Sequence, residues 1–236
     1  MHRPTEDPRY FFNAYATGFS GRITKPFDQL IDVQASCALP PSGGYASSRV
    51  DGFRLKEIIS FSSAYTQVTG SAHDEEQAWN QVATSTIENL NIQGQVTADR
   101  VTAWMSIKRG YKTELPVFRI LGCRFDNLFV SGDPVSLEFD QSIETWAEAV
   151  QKFSPYQPPK GNVIVGSAVQ NVKAKGLIEP NIIDVPDFGR VILGEYLITP
   201  NARSLTMFRV EMGCGFEGSG GGGNVGGNGT QYPPYP

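Results

Sequence analysis

Apolar residues along this chain recur mostly at every second position, the period of a half-buried β-strand. Residues 57–70 and 78–90 are rich in Ile, Phe, Tyr, Val and Thr, and the polar run Ser71-Ala72-His73-Asp74-Glu75-Glu76-Gln77 separates them. They predict an antiparallel hairpin. In the first arm Ile59, Phe61 and Tyr65 share one parity, and in the second Trp79, Ala83 and Ile87 do. The opposite faces carry Ser, Thr, Asn and Gln, which suits either water or another subunit. Residues 10–23 predict a first strand pair, and 30–39 a strand between the breakers Lys25-Pro26 and 39–44. Val101, Ala103, Met105 and Ile107 alternate in the same way, and 117–130 and 135–139 continue the pattern. Farther on, 162–173 is strand-like, 176–188 is loop-rich, and 191–198 with 205–212 forms another hairpin across 199–204.

The alternation breaks once. Ile143, Trp146, Val150 and Phe153 stand at helical spacing, predicting one substantial helix over about 142–153 with Asp140 or Ser142 as N-cap and Ser154-Pro155 as its stop. The fold class is therefore all-β: antiparallel hairpins in a sandwich, a barrel or a stacked repeat arrangement, with a single helix. The chain divides into a flexible arm (1–9), a β-rich domain (10–212) with a crossover at 154–161, and a tail (213–236). Ten of the 25 glycines fall between Gly213 and Gly229, and the chain ends Tyr232-Pro233-Pro234-Tyr235-Pro236. Such a tail buries little apolar area and is expected to be disordered alone, ordered only if a neighbouring subunit holds it.

Three stretches read nearly alike: Val50-Asp51-Gly52-Phe53-Arg54-Leu55, Ile87-Glu88-Asn89-Leu90-Asn91-Ile92 and Phe125-Asp126-Asn127-Leu128-Phe129-Val130. Each is apolar, acid, Gly or Asn, apolar, any residue, apolar, and they start 37 and 38 residues apart. Gly and Asn tolerate a left-handed backbone, and an acid before them bonds nearby amides, so each marks a sharp turn or bulge from which the chain re-enters a sheet. The spacing suggests a recurring supersecondary unit, against the alternative of chance recurrence in a β protein.

Composition narrows the function classes. A net charge of −4 and only 19% charged residues leave no basic footprint for nucleic acid. No apolar run reaches membrane-spanning length, and residues 1–13 carry no secretory signal, so the chain is expected to be cytoplasmic or extracellular as a mature form. Cys37, Cys123 and Cys214 read either as three free thiols or as one disulfide plus a thiol. Only His2 and His73 are available for imidazole chemistry, and His73-Asp74-Glu75-Glu76 lacks both the spacing of a calcium loop and the paired His of a zinc helix. No metal or cofactor is expected. Glycoside hydrolysis would draw on two of Glu57, Glu88, Asp99, Asp126 and Glu195, although acids beside Gly or Asn are more often turn-formers. Trp79, Trp104 and Trp146 lie on predicted strands or the helix, where burial is the ordinary outcome.

Residues 43–49, then 83–92 through Val96-Thr97-Ala98-Asp99-Arg100-Val101, then 188–195 together resemble uncharacterised bacterial proteins of about this length. The Thr-Ala-Asp-Arg-Val segment is also similar to one in extracellular β-rich proteins of the choice-of-anchor type. The resemblance implies no activity. The expected function is a non-enzymatic structural protein that self-associates through sheet faces or edges as a homo-oligomer or polymer. Tyr10, Phe11, Phe12, Tyr232 and Tyr235 are its candidate contacts, and Asp51, Gly52, Glu88, Asn89, Asp126 and Asn127 its turn residues. The alternative is a β module that binds carbohydrate or another ligand, and less favoured is a glycan-active enzyme.

Overall fold

The computed structural model describes residues 9–113, 115–153, 163–213 and 216–232. Its elements are β1 (Arg9–Lys25), β2 (Gln29–Ala38), β3 (Gly44–Leu55), β4 (Ile59–His73), β5 (Ala78–Ile92), β6 (Val96–Gly110), β7 (Val117–Ile120), β8 (Arg124–Asp126), β9 (Phe129–Val130), β10 (Asp133–Pro134) and β11 (Ser136–Phe139). There follow α1 (Trp146–Phe153), β12 (Ile164–Ser167), β13 (Val169–Lys173), β14 (Leu177–Glu179), β15 (Ile182–Val185), β16 (Gly189–Ile198), β17 (Ala202–Met212) and β18 (Glu217–Tyr232). All pairings are antiparallel, and the strands form a sandwich rather than a closed barrel.

One layer is a meander, β3-β4-β5-β6, whose far edge is built from β7, β8 and β9 laid end to end along β6, with β10 on β9. The other joins both ends of the chain in the order β14-β15-β16-β17-β18-β1-β2, with β12 also on β16. We call them the meander sheet and the terminal sheet. β11 and β13 pair separately. Between the layers, Phe12, Ala14, Ala16, Phe19 and Ile23 of β1 join Ala64, Val68, Ala83, Ile87, Val101, Ala103 and Met105 in one apolar core. A buried amide ties the layers: Gln81 accepts from the Asn13 backbone N–H (2.9 Å) and donates to Tyr10 Oη (2.7 Å) and the Asn228 carbonyl (3.2 Å). Each of these bonds removes the cost of burying Gln81 unpaired.

The expected hairpins 57–70/78–90 and 191–198/205–212 are β4/β5 and β16/β17. Four expectations need correction. Residues 10–23 are not a strand pair but part of the single 17-residue β1. Its Gly18 and Gly21 are not turn residues; a Cβ on either would come within 2.7 Å of a carbonyl oxygen of the adjoining strand.

The glycine-rich tail is not a loose appendage, since β18 lies between β1 and β17 in the interior of the terminal sheet. Gly220 lies under the Phe19 ring, where a Cβ would sit 2.9 Å from Cζ, and Gly222 lies under Ile87 of the opposite sheet, at 2.7 Å from Cδ1. Glycine is needed there because neighbours fill the space a side chain would take.

The helix starts at Trp146, not near 142, and its N-cap is Thr145, not Asp140 or Ser142. Thr145 and Glu148 form a capping box: the Glu148 amide donates to Thr145 Oγ1 (3.3 Å), while Glu148 Oε2 accepts from the Thr145 amide (2.7 Å). Those backbone bonds hold the Glu148 carboxyl below its usual range. Asp140 instead accepts from Ser142 Oγ (2.6 Å) and pairs with Lys152 on the last turn, fixing the helix to the end of β11. Finally, 176–188 contains the short strands β14 and β15. Of the expected arm over 1–9, Arg9 begins β1, while 1–8 and the crossover at 154–161 lie outside the described residues. Among the described residues no helix is long and apolar enough to cross a membrane.

Candidate functional site

The three similar stretches fall on β3, on β5 and on β8 running into β9. These strands run in the same direction, because each is antiparallel to β4 or β6. Their third residues are all left-handed: Gly52 at φ 71°, Asn89 at φ 52° and Asn127 at φ 51°. The pairing register places Asp51, Ser63, Glu88, Arg100 and Asp126 side by side in one row across the sheet. A left-handed residue turns the following side chain to the other face, so the inward positions jump by three rather than two. Ile87, Leu90 and Ile92 are buried accordingly, as are Leu128 and Val130. The motif's apolar spacing of one, four and six is this kink written in sequence.

The terminal sheet carries a matching row. Gly18, Gly223, Met207, Gly194 and Ala35 each drop out of the regular pairs, and Ala35 (φ 51°), Gly223 (φ 67°) and Gly194 (φ 59°) are left-handed on alternate strands.

On the outer surface the meander row becomes a ladder of charges. Glu88 accepts from Ser63 Oγ (2.9 Å) and Arg100 Nη2 (3.0 Å), and these partners, Ser63 foremost, hold its carboxyl below the usual range. Arg49 pairs with Asp51 at 2.7 Å and Arg124 with Asp126 at 3.3 Å. Asn127 donates to Asp99 (2.6 Å), and Asn89 donates to Ser62 Oγ (2.9 Å). Glu88, Asn89, Asp99, Arg100 and Asp126 line an open depression of about 510 Å³.

The five carboxylates considered for glycoside hydrolysis are thus divided. Glu88, Asp99 and Asp126 come together here, Glu57 pairs with Arg54 (2.7 Å), and Glu195 pairs with Arg209 (3.0 Å) on the other sheet. A general acid needs a raised pKa. Glu88 is moved the other way, so the cluster is built to keep that carboxylate ionised.

The other candidates are scattered. Strand alternation turns Tyr10 and Phe12 inward, with Tyr10 stacked on Trp79 at 4.5 Å, and leaves only Phe11 on the outer face, 45% exposed. Burial pushes the Tyr10 phenol up to about 12. Tyr232 is paired through its backbone with Arg9 at the end of β18, and Tyr235 lies outside the described residues.

Cys37 and Cys123 are free thiols, Cys214 lies outside the described residues, and desolvation pushes Cys123 up to about 12. Such a thiol is a poor nucleophile at neutral pH. His73 ends β4 beside the turn to β5, in contact with Ser71 Oγ at 3.0 Å. Among the described residues no three His, Cys, Asp or Glu side chains are placed to hold a metal ion.

Trp79 is buried and Trp146 half-buried, whereas Trp104 stands 42% exposed on the outer face of β6. Arg100 and Ser63 escaped the sequence reading, and Trp104, for which burial was expected, stands exposed. Arg100 was within reach of it: the left-handed Gln93 and Gly94 form the turn joining β5 to β6, which sets Glu88 opposite Arg100.

Residues 10–151, more than half of the chain, match a family described as Domain of unknown function (DUF8256). The chain belongs to that family. No curated protein and no solved structure matches it. Its place among proteins of unknown function is thereby supported, and the likeness to choice-of-anchor proteins is not. The DUF8256 stretch spans β1 to β11 and most of α1, which includes the whole meander sheet but only two strands of the terminal one.

Proposed function

We propose that this DUF8256 member is a non-enzymatic structural protein that self-associates through the outer face of its terminal sheet, with the three similar stretches as copies of one kink-forming unit. The observation that carries the reading is a row across that face on which three side chains, Val165, Leu197 and Tyr15, are large, apolar and exposed. Val165, Leu197, Ser204, Gly226 and Tyr15 are successive register partners on β12, β16, β17, β18 and β1. Val165 is 52% exposed and Leu197 43%. Tyr15 lies flat over Gly226, where a Cβ would be 2.6 Å from its hydroxyl, and donates to Ser204 Oγ (2.9 Å). Phe11 extends the same face along β1. A flat apolar strip of this kind is suited to a second copy placed about a two-fold axis, where the same residues meet on both sides.

The edges are less suited. β2 and β3, the free edges on one side of the sandwich, are each interrupted by a left-handed residue, Ala35 and Gly52, and β3 also carries Arg49, Asp51 and Arg54. Kinks and charges are the usual devices against edge pairing. A Glu88 carboxylate held below its usual range by Ser63 and Arg100 and a Cys123 thiol raised to about 12 favour a non-catalytic reading.

Light scattering after size exclusion tests the proposal. The wild-type chain should elute as a dimer or larger, and Leu197→Lys as a monomer with unchanged thermal stability. A wild-type monomer at high concentration overturns it.

A further inference from the structure

The outer face of the meander sheet differs in kind from the strip just described, and the difference points to a ligand. The register sets Tyr65, Thr86 and Thr102 in one row and Gln67, Thr84 and Trp104 in the next, two residues farther along each strand. Between Arg49 and Arg124, which end the first row, both rows are uncharged; between the two exposed rings Gln67, Thr84 and Thr102 offer hydroxyl or amide hydrogen-bonding groups, while Thr86 is buried among them. Tyr45 adds a third exposed ring on β3. Trp104 is steadied from one side, since Gly122 lies so close that a Cβ would sit 2.9 Å from its Cε3. Strand spacing and rise put Tyr65 and Trp104 about 12 Å apart at Cα, with threonines and a glutamine between them.

The rim decides what such a field can hold. Five cations border it, and each already has a carboxylate: Arg49 with Asp51 (2.7 Å), Arg100 with Glu88 (3.0 Å), Arg124 with Asp126 (3.3 Å), Arg119 with Glu144 (3.0 Å) and Lys108 with Glu76 (2.7 Å). The charges cancel locally, so the field offers no attraction to a polyanion. An interface core between proteins would gather its aromatic rings and desolvate them together. Here the rings are held apart by hydroxyls. A chain with flat apolar ring faces, many hydroxyls and no net charge matches both the surface and its neutral border.

We propose that the outer face of the meander sheet binds a neutral polysaccharide, with Trp104 and Tyr65 as stacking platforms and Thr84, Thr102 and Gln67 as hydrogen-bonding groups between them. An aromatic ring presents an apolar face for the C–H side of a sugar, and the neighbouring hydroxyls exchange hydrogen bonds with its rim. The site lies on the opposite layer from the association strip and does not depend on it; a monomer should bind as a dimer does, one chain at a time.

Native gel electrophoresis of the full chain tests this, with gels cast in hydroxyethylcellulose, xyloglucan, galactomannan or dextran, and in polygalacturonate as the charged control. At least one neutral polymer should retard the protein, and added salt should not relieve the retardation. Trp104→Ala and Tyr65→Ala should each weaken it about tenfold, while Leu197→Lys leaves it unchanged. Trp104 is exposed, so its variant should keep the wild-type thermal midpoint. Should it not, Thr84→Glu places a charge in the middle of the field and must abolish binding equally. Retardation by no neutral polymer overturns the proposal, as does retardation by polygalacturonate alone that salt abolishes. Loss of self-association rather than of retardation in Trp104→Ala would assign the face to a protein contact instead.

Discussion

β5 and β18 hold the same position in their layers, each an interior strand paired on both sides, yet they are made of opposite material. β5 brings its own inward side chains, Trp79, Ala83, Ile87, Leu90 and Ile92, all buried. β18 contributes Val225 and otherwise mostly glycine, serine and asparagine. Both are laddered on each side except at the kinks, Asn89 and Gly223, with Ala14 and Leu205 flanking the glycine strand at positions Gly227 and Val225. The apolar volume above β18 is supplied by others: Phe19 over Gly220, Met207 over Gly223, and from the facing sheet Ile87 over Gly222 and Ile107 over Gly227. A strand's place in a sheet is therefore set by its backbone hydrogen bonds. Its hydrophobic cover need not be its own.

The largest test of that contrast is removal. Deleting residues 218–236 strips β1 and β17 of their shared partner, and the truncated chain should lose cooperative thermal unfolding by circular dichroism and the dispersed amide spectrum of a folded domain. A truncated chain with a sharp transition would show that the two halves of the terminal sheet hold without their centre.

Next come single substitutions that attack the two strands in opposite ways. Ile87→Ala empties space and should cost about 2–5 kcal/mol in chemical denaturation. Gly220→Ala fills space already held by Phe19 and should cost about 1–3 kcal/mol. The second penalty should shrink when Phe19→Leu is added, since the two side chains contend for one volume. An unchanged penalty in that background would place the cost in the backbone of β18 and not in its cover.

The smallest effect concerns the kinked row beside β5. The folded state holds Glu88 below its ordinary carboxylate range, so its stabilising contribution is complete above that range and fades as pH falls through the depressed folded value. Glu88→Gln should flatten that acid limb of the stability profile, by no more than about 1 kcal/mol for a pair so near the surface. An acid limb identical to wild type would remove Glu88 from the account.

Much of the meander sheet could be read from residues alone. The β4/β5 pairing followed from two alternating runs with one polar tip, and the kinks from an acid followed by Gly or Asn. Tyr65 shows where that reading stopped. It shares parity with Ile59 and Phe61, yet it lies outside while they are buried, because the chain switches face at Ser62 and Ser63. No left-handed residue marks that switch on β4; it is imposed by Gly52 and Asn89 on either side. Of the charge ladder, Asp51, Glu88 and Asp126 were nameable as turn acids. Arg124 stands two residues before Asp126 on the same strand, but Arg100, the partner of Glu88, comes from β6 and acquired a meaning only with the register. Thr145 was passed over as an N-cap because Ile143 completes a helical spacing that the capping box then leaves outside the helix.

Local chemistry alone thus determined that this chain is built of antiparallel strands, that its backbone turns left-handed at Gly52, Asn89 and Asn127, and that one amphipathic helix interrupts it. Alternation, the conformational tolerance of Gly and Asn, and the 3.6-residue period all act within a few residues. Tertiary structure alone decided that the glycine run becomes the centre of a sheet, that three kinks on separate strands align in one row, and which aromatic rings remain in water. Those outcomes depend on which strands lie side by side across more than two hundred positions of chain, as in the pairing of Phe12 with Gly229. Hydrogen bonds between distant strands and the volume left by their neighbours settle them, and neither quantity exists until the layers have met.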